Sequence, residues 1–156
     1  PEEVYLNPTT LFVAKFVGTI NLIRGKVISI DKNKKNIEVE TDVGIFLAPM
    51  QDEATAGMSI AYAVRPENLF VGKEAANYAN KIYAKLTNRT YRGLDTEYTF
   101  QLSNDEEFKA LIQEERERKI EVGEETTLGW RTEDAAVISK PSVITCLDVD
   151  RVLLGE

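Results

Sequence analysis

Turn signals interrupt this chain at intervals of about ten residues, and that spacing leaves room for short strands and little else. Gly25 to Asp31 is an apolar-rich run that ends in the polar cluster Lys32-Asn33-Lys34-Lys35-Asn36. Ile37-Glu38-Val39-Glu40-Thr41 alternates apolar and polar residues, the period of a strand with one buried face. Asp42-Val43-Gly44 turns the chain into Ile45 to Ala48, and Pro49 to Gly57 is a loop. Met58 to Val64 predicts a strand stopped by Arg65-Pro66-Glu67, and Asn68 to Val71 a short one before Gly72. After a polar gap from Lys73 to Asn80, the runs Lys81 to Leu86, Thr96 to Leu102, Thr126 to Arg131 and Ala135 to Ile138 continue the series. Val143 to Leu147 closes it. Asp105 to Glu121 supports two readings. Phe108, Leu111 and Ile112 have a helical spacing, whereas Phe108, Ala110 and Ile112 have a strand spacing. About nine to eleven short strands predict an all-β sandwich or barrel. No repeat with a period of about 20–50 residues stands out, and there is no low-complexity linker.

Residues 1–18 read differently. Pro1-Glu2-Glu3 suits the first turn of a helix, which Asn7-Pro8 breaks. Thr9 or Thr10 then caps a second short helix that places Phe12 and Phe16 on one face and stops at Gly18. Leu11 to Gly18 is broken by Lys15 and too short to cross a bilayer, and an acidic opening is not a signal peptide. A chain that opens on Pro1 rather than Met reads as a fragment of a longer protein.

Composition removes several kinds of chemistry. The 156 residues include no histidine, so no Ser–His or Cys–His nucleophile pair and no histidine metal ligand exists in them. The lone Cys146 forms neither an internal disulfide nor a Cys-x-x-Cys site and leans towards a reducing compartment. A formal charge of −7 opposes non-specific binding of nucleic acid, which needs a basic footprint.

Tests for individual motifs mostly fail. Gly25-Lys26-Val27 and Gly72-Lys73-Glu74 lack the first glycine and the Ser/Thr of a phosphate loop, and no two glycines lie two apart as a dinucleotide fingerprint requires. Ser29-Ile30-Asp31-Lys32 has the Ser-x-x-Lys form without its partner motifs and at a strand end. Asp148-Val149-Asp150 lacks the glycine and closing glutamate of a calcium loop. The pairs Glu114-Glu115, Glu124-Glu125 and Glu133-Asp134 are adjacent in sequence, which does not make them converge on a cleft. Asn88-Arg89-Thr90 is a glycosylation sequon without consequence in a cytosolic chain.

Three clusters carry more information: Val64-Arg65-Pro66-Glu67-Asn68-Leu69, Tyr91-Arg92-Gly93-Leu94-Asp95-Thr96-Glu97-Tyr98, and Leu128-Gly129-Trp130-Arg131-Thr132-Glu133-Asp134-Ala135. Arg65 closes an apolar strand where Pro66 stops pairing, a place where an arginine seeks a carboxylate. Taken in order, the clusters resemble the C-terminal regulatory part of the ATP-hydrolysing subunit of ABC importers, the transport-associated OB (TOBE) type. Arg65-Pro66-Glu67 is similar to that family's Arg-Pro-Glu turn, Tyr91-x-Gly93 with Tyr98 to its tyrosine–glycine hairpin, and Trp130-x-x-Glu133-Asp134-Ala135 to its closing motif. Pro1 to Gly18 resembles the last helices of the nucleotide-binding domain, and Ile20-Asn21-Leu22 with Gly25-x-Val27 the first regulatory strand. The resemblance fades from Lys140 to Glu156. Thr19-Ile20-Asn21-Leu22-Ile23 and Tyr91-Arg92-Gly93 look most like the spermidine/putrescine importers.

The resemblance implies an all-β, OB-like β-barrel regulatory domain over residues 19–156, built either as two small, interleaved β subdomains or as one barrel with an appended sheet, behind a short N-terminal helical segment at 1–18. It implies a regulatory and dimerisation role with no catalytic, cofactor or metal site in this chain. ATP and Mg would belong to the nucleotide-binding domain, whose phosphate loop, signature motif and switch histidine are absent from these residues. The implied partners are that domain, a second copy and the transporter's membrane subunits, with no nucleic acid. The implied location is cytoplasmic, at the inner face of the cell membrane. Sugar, iron and sulfate importers share the domain type. Relatives that bind oxyanions keep a sensor reading open, with Lys85, Arg89 and Arg92 as the basic group. Arg65 is expected to pair with Glu133 or Asp134 across the barrel end. The Tyr91–Tyr98 hairpin is expected either to contribute to a two-fold interface or to fill the barrel.

Overall fold

Alternation decides which face of most strands is buried, and the computed structural model shows the result for residues 20–51, 54–113 and 120–138. In these residues the strands are β1 (Asn21–Asp31), β2 (Asn36–Thr41), β3 (Gly44–Pro49), β4 (Ser59–Val64), β5 (Phe70–Val71), β6 (Asn80–Tyr91), β7 (Asp95–Gln101), β8 (Glu107–Gln113), β9 (Glu125–Trp130) and β10 (Ala135–Ile138). In β6, Asn80, Ile82, Ala84 and Leu86 point inward and Lys81, Tyr83 and Lys85 outward. Within the ambiguous segment Asp105 to Glu121, Glu107–Gln113 is a strand: Phe108, Ala110 and Ile112 are buried on one face of β8. The expected strand at Asn68 starts later, at Phe70, because Pro66–Asn68 forms a 3-10 turn. The expected helices in 1–18 and the strand Val143 to Leu147 lie outside the described residues, as do Cys146, the Glu114-Glu115 pair and Asp148-Val149-Asp150.

The strands form two antiparallel five-stranded sheets, ordered β10-β4-β1-β2-β3 and β5-β9-β6-β7-β8. β1 to β3 are a meander, and β4 returns to the free side of β1. The chain then crosses to the second sheet, where β5 pairs with β9. β6 to β8 repeat the meander, β9 returns beside β6, and the chain crosses back so that β10 pairs with β4. The second half therefore repeats the plan of the first, and each half places its last strand in the sheet of the other.

The repeat extends to local detail. β1 shifts register between Val27 and Ser29, and β6 does so between Leu86 and Asn88. At those points Val27 N–H donates to Met58 O and Gly57 N–H to Val27 O; Leu86 N–H donates to Glu124 O and Gly123 N–H to Leu86 O. Gly57 and Gly123 hold φ of +90° and +99°, a conformation that favours glycine in both loops. Bulges of this kind sharpen the twist and let a short sheet curl. In the first sheet the edges β10 and β3 approach each other. In the second, the 3-10 turn ahead of β5 packs on the opposite edge, β8.

The two curled sheets share one core. Phe46 and Tyr62 come from the first sheet, Trp130 and Phe108 from the second. The Trp130 ring lies 5.0 Å from Phe46, 6.2 Å from Tyr62 and 6.1 Å from Phe108. Outside the core, the polar gap forms a 3-10 helix, Gly72–Asn77, lying on β9. It fits because Gly129 has no side chain there: a Cβ at Gly129 would stand 2.5 Å from Ala75 O.

Candidate functional site

The two crossovers between the sheets are built alike. Arg65 and Arg131 are both extended, at φ −75°, ψ 144° and φ −78°, ψ 145°. Each is followed by one 3-10 turn, Pro66–Asn68 or Thr132–Asp134, closed by a 3.0 Å bond from the third turn residue's N–H to the arginine carbonyl. Pro66 suits this position, since its fixed φ starts the turn and its missing N–H ends strand pairing.

An open cleft of about 510 Å³ lies between the first crossover, the following 3-10 helix, the edge of β8 and the second crossover. Among the described residues its acidic side chains are Glu67, Glu74, Asp95 and Asp134, against the single cation Arg131. One wall is aromatic: Phe70 and Tyr78 stack with ring centroids 4.6 Å apart and planes 14° from parallel. The Arg131 guanidinium sits 5.5 Å from the Phe70 ring centroid, within cation–π range. Burial pushes the Asp134 carboxyl above its ordinary range; Arg131 opposes that shift and Glu133 adds to it. Asp95 Oδ1 receives no hydrogen bond and has instead an ion pair with Arg92 Nε at 3.3 Å. Two of the four acids are thus already paired, Asp95 with Arg92 and Glu67 with Arg65. No group of three or more potential metal-ligating side chains converges among the described residues.

The residues singled out in the sequence disperse. Arg65 does not pair with Glu133 or Asp134. Its partner is Glu67, two residues away, at 3.8 Å, with side chains 39% and 51% exposed. The crossover turn folds back on itself, so the nearest carboxylate is local. Glu67 and Asp134 line the cleft, while Glu133 is exposed. Trp130 and Tyr98 are core residues, Tyr98 meeting Phe100 edge-on at 6.2 Å. Tyr91 is 64% exposed, its hydroxyl donating to the carbonyl of Gly93, and Leu94 beside it is 87% exposed. The hairpin thus divides: Tyr98 fills the barrel and Tyr91 stands at the tip. The basic group for an oxyanion is not assembled either. Arg89 Nη1 donates to Ile120 O at 2.9 Å, and Arg92 pairs with Asp95 and Glu97. Lys85 projects from β6 opposite Glu125. Sequence reading missed Phe70, Tyr78, Glu74 and Arg131; the aromatics flanking the polar gap were the available signal.

Two curled five-stranded sheets that exchange their last strands are an all-β module of OB type. Residues 62–138, from within β4 to the end of β10, match the model of the TOBE domain. The chain is similar to the spermidine/putrescine import ATP-binding protein PotA of Vibrio cholerae, 31% identical over 67% of this chain and 27% of the relative. PotA of Nitrosomonas eutropha is 29% identical over 86% of this chain and 38% of the relative. The chain therefore spans well under half the length of these relatives. Among solved structures, the cytoplasmic molybdate-binding protein ModG matches with a TM-score of 0.66 over 76% of this chain and 94% of its own. At 14% identity that likeness shows the fold. No helix among the described residues is long and apolar enough to cross a membrane.

Proposed function

We propose that this chain is the regulatory domain of the ATP-hydrolysing subunit of an ABC importer for polyamines. The observation that carries this reading is the match to spermidine/putrescine import ATP-binding proteins from several bacteria, extending over up to 90% of the chain. On this reading the domain works in the cytoplasm, at the inner face of the membrane. It follows its own nucleotide-binding domain, which holds ATP and Mg, and pairs with its twin beneath the membrane subunits. A second contact between two ATPase subunits raises their effective concentration, so the nucleotide domains can part during the cycle without dissociating. The exposed Tyr91 and Leu94 at the β6–β7 tip are the candidates for part of that contact.

The internally engaged Arg89 and Arg92 weigh against the oxyanion sensor. Deleting the gene should abolish uptake of labelled spermidine and leave molybdate, sulfate, iron and sugar uptake intact. Loss of one of those instead assigns a different importer. Sedimentation of the chain over a wide concentration range should show a weak monomer–dimer equilibrium. Equilibrium dialysis against molybdate should show no retention; saturable retention would reinstate the sensor reading.

A further inference from the structure

Strand exchange leaves β3 and β8, the last strands of the two meanders, lying against the opposite half, and each is met there by a buried asparagine. Asn21, the first residue of β1, donates from Nδ2 to Lys109 O at 2.9 Å and accepts from Lys109 N–H at 2.8 Å. Asn80, the first residue of β6, donates to Leu47 O at 3.0 Å and accepts from Leu47 N–H at 2.7 Å. Lys109 lies in β8 and Leu47 in β3, so each amide reaches from its own sheet to the edge strand of the other. A side-chain amide carries the same donor and acceptor as a peptide unit, so it satisfies an edge residue as a further strand would. Asn21 and Asn80 are only 2% and 1% exposed, and a buried amide that loses its partners is costly. Separation of the halves would break all four of these bonds together.

We propose that Asn21 and Asn80 are reciprocal clamps that lock the two half-barrels into a single cooperative unit, so that neither sheet opens without the other. The domain then behaves as a rigid coupling piece, and a displacement imposed on one half is carried into the other. This rests on the geometry and is independent of the importer reading.

Native-state hydrogen exchange on the full chain at increasing low denaturant tests it. The amides of Val27 and Tyr62 report on the first sheet, and those of Leu86 and Trp130 on the second. In the unaltered chain all four should converge on one opening equilibrium with one denaturant dependence. Two separate plateaus, one for each sheet, would overturn the proposal without any variant. Asn80→Ala leaves Leu47 O still bonded to the Tyr62 hydroxyl and strands only Leu47 N–H, so protection should fall about tenfold. Asn21→Ala strands both backbone groups of Lys109, so the fall should be nearer 100-fold. In each variant the factor should be the same in both sheets. A loss confined to the sheet whose edge was released would show that the asparagines are local supports and refute the coupling.

Discussion

Removing one oxygen atom from the core, by Tyr62→Phe, separates packing from hydrogen bonding at the junction of the sheets. The Tyr62 hydroxyl donates to Leu47 O at 2.7 Å and accepts from Trp130 Nε1 at 2.8 Å. Leu47 O keeps its second donor, Asn80 Nδ2. Trp130, fully buried, is left with an indole N–H that has lost its acceptor. A stranded buried donor costs about 1–3 kcal/mol, whereas a shared bond to a carbonyl that stays satisfied is worth about 1 kcal/mol or less. Tyr62→Phe should therefore destabilise by about 2–3 kcal/mol in urea denaturation, with an unchanged slope. The decisive comparison is the same substitution in a Trp130→Phe background, where no indole remains to be stranded. There its cost should fall to about 1 kcal/mol or less. An equal cost in both backgrounds would refute the account. The alkaline limb adds an independent check. Burial pushes the Tyr62 phenol above its ordinary value of 10.0, the hydrogen bond from Trp130 opposing part of that shift. The unfolded chain releases this proton first, so the contribution is intact below about pH 10 and is lost as pH rises further. Tyr62→Phe should show a shallower loss of stability in that range.

Gly129→Ala should cost about 1–3 kcal/mol, because its Cβ meets the backbone of Ala75; hydrogen exchange should place the damage in the 3-10 helix Gly72–Asn77. Arg65→Ala should cost less than about 1 kcal/mol in thermal or urea melts, since its pair with Glu67 is half exposed. The raised Asp134 and Glu106 carboxyls, both shifted mainly by burial, bind protons more tightly in the folded chain than in the unfolded one. Their contribution should make stability rise as pH falls through the folded values and stop rising below the unfolded ones, and Asp134→Asn with Glu106→Gln should flatten that slope.

The strands were legible because their faces alternate between core and water, as in Ile37 to Thr41 and Thr96 to Leu102. Asp105 to Glu121 was not, because Ile112 serves either period, and only pairing with β7 selects the strand. The duplication was hidden for a different reason. Val64-Arg65-Pro66-Glu67-Asn68-Leu69-Phe70-Val71 and Trp130-Arg131-Thr132-Glu133-Asp134-Ala135-Ala136-Val137 share only an arginine, a glutamate and a valine. What the halves have in common is backbone: a bulge, a positive-φ glycine, an edge-capping asparagine. Those positions tolerate wide variation in their neighbours. The cleft depends on which elements the crossovers bring together, so Phe70 and Tyr78, which flank the polar gap, could not be joined to Arg131, far along the chain. Arg65 misled because a local carboxylate was available within its own turn.

Exchange of the closing strands also determines what a broken backbone would do. Among the described residues the chain passes between the halves once, from β5 through the 3-10 helix into β6. A protease cutting there would release neither piece. The first fragment would still hold β10 against β4, and the second would still hold β5 against β9. The nicked molecule would migrate as one particle in native gels and as two bands only after denaturation, two fragments held together with no covalent bond between them.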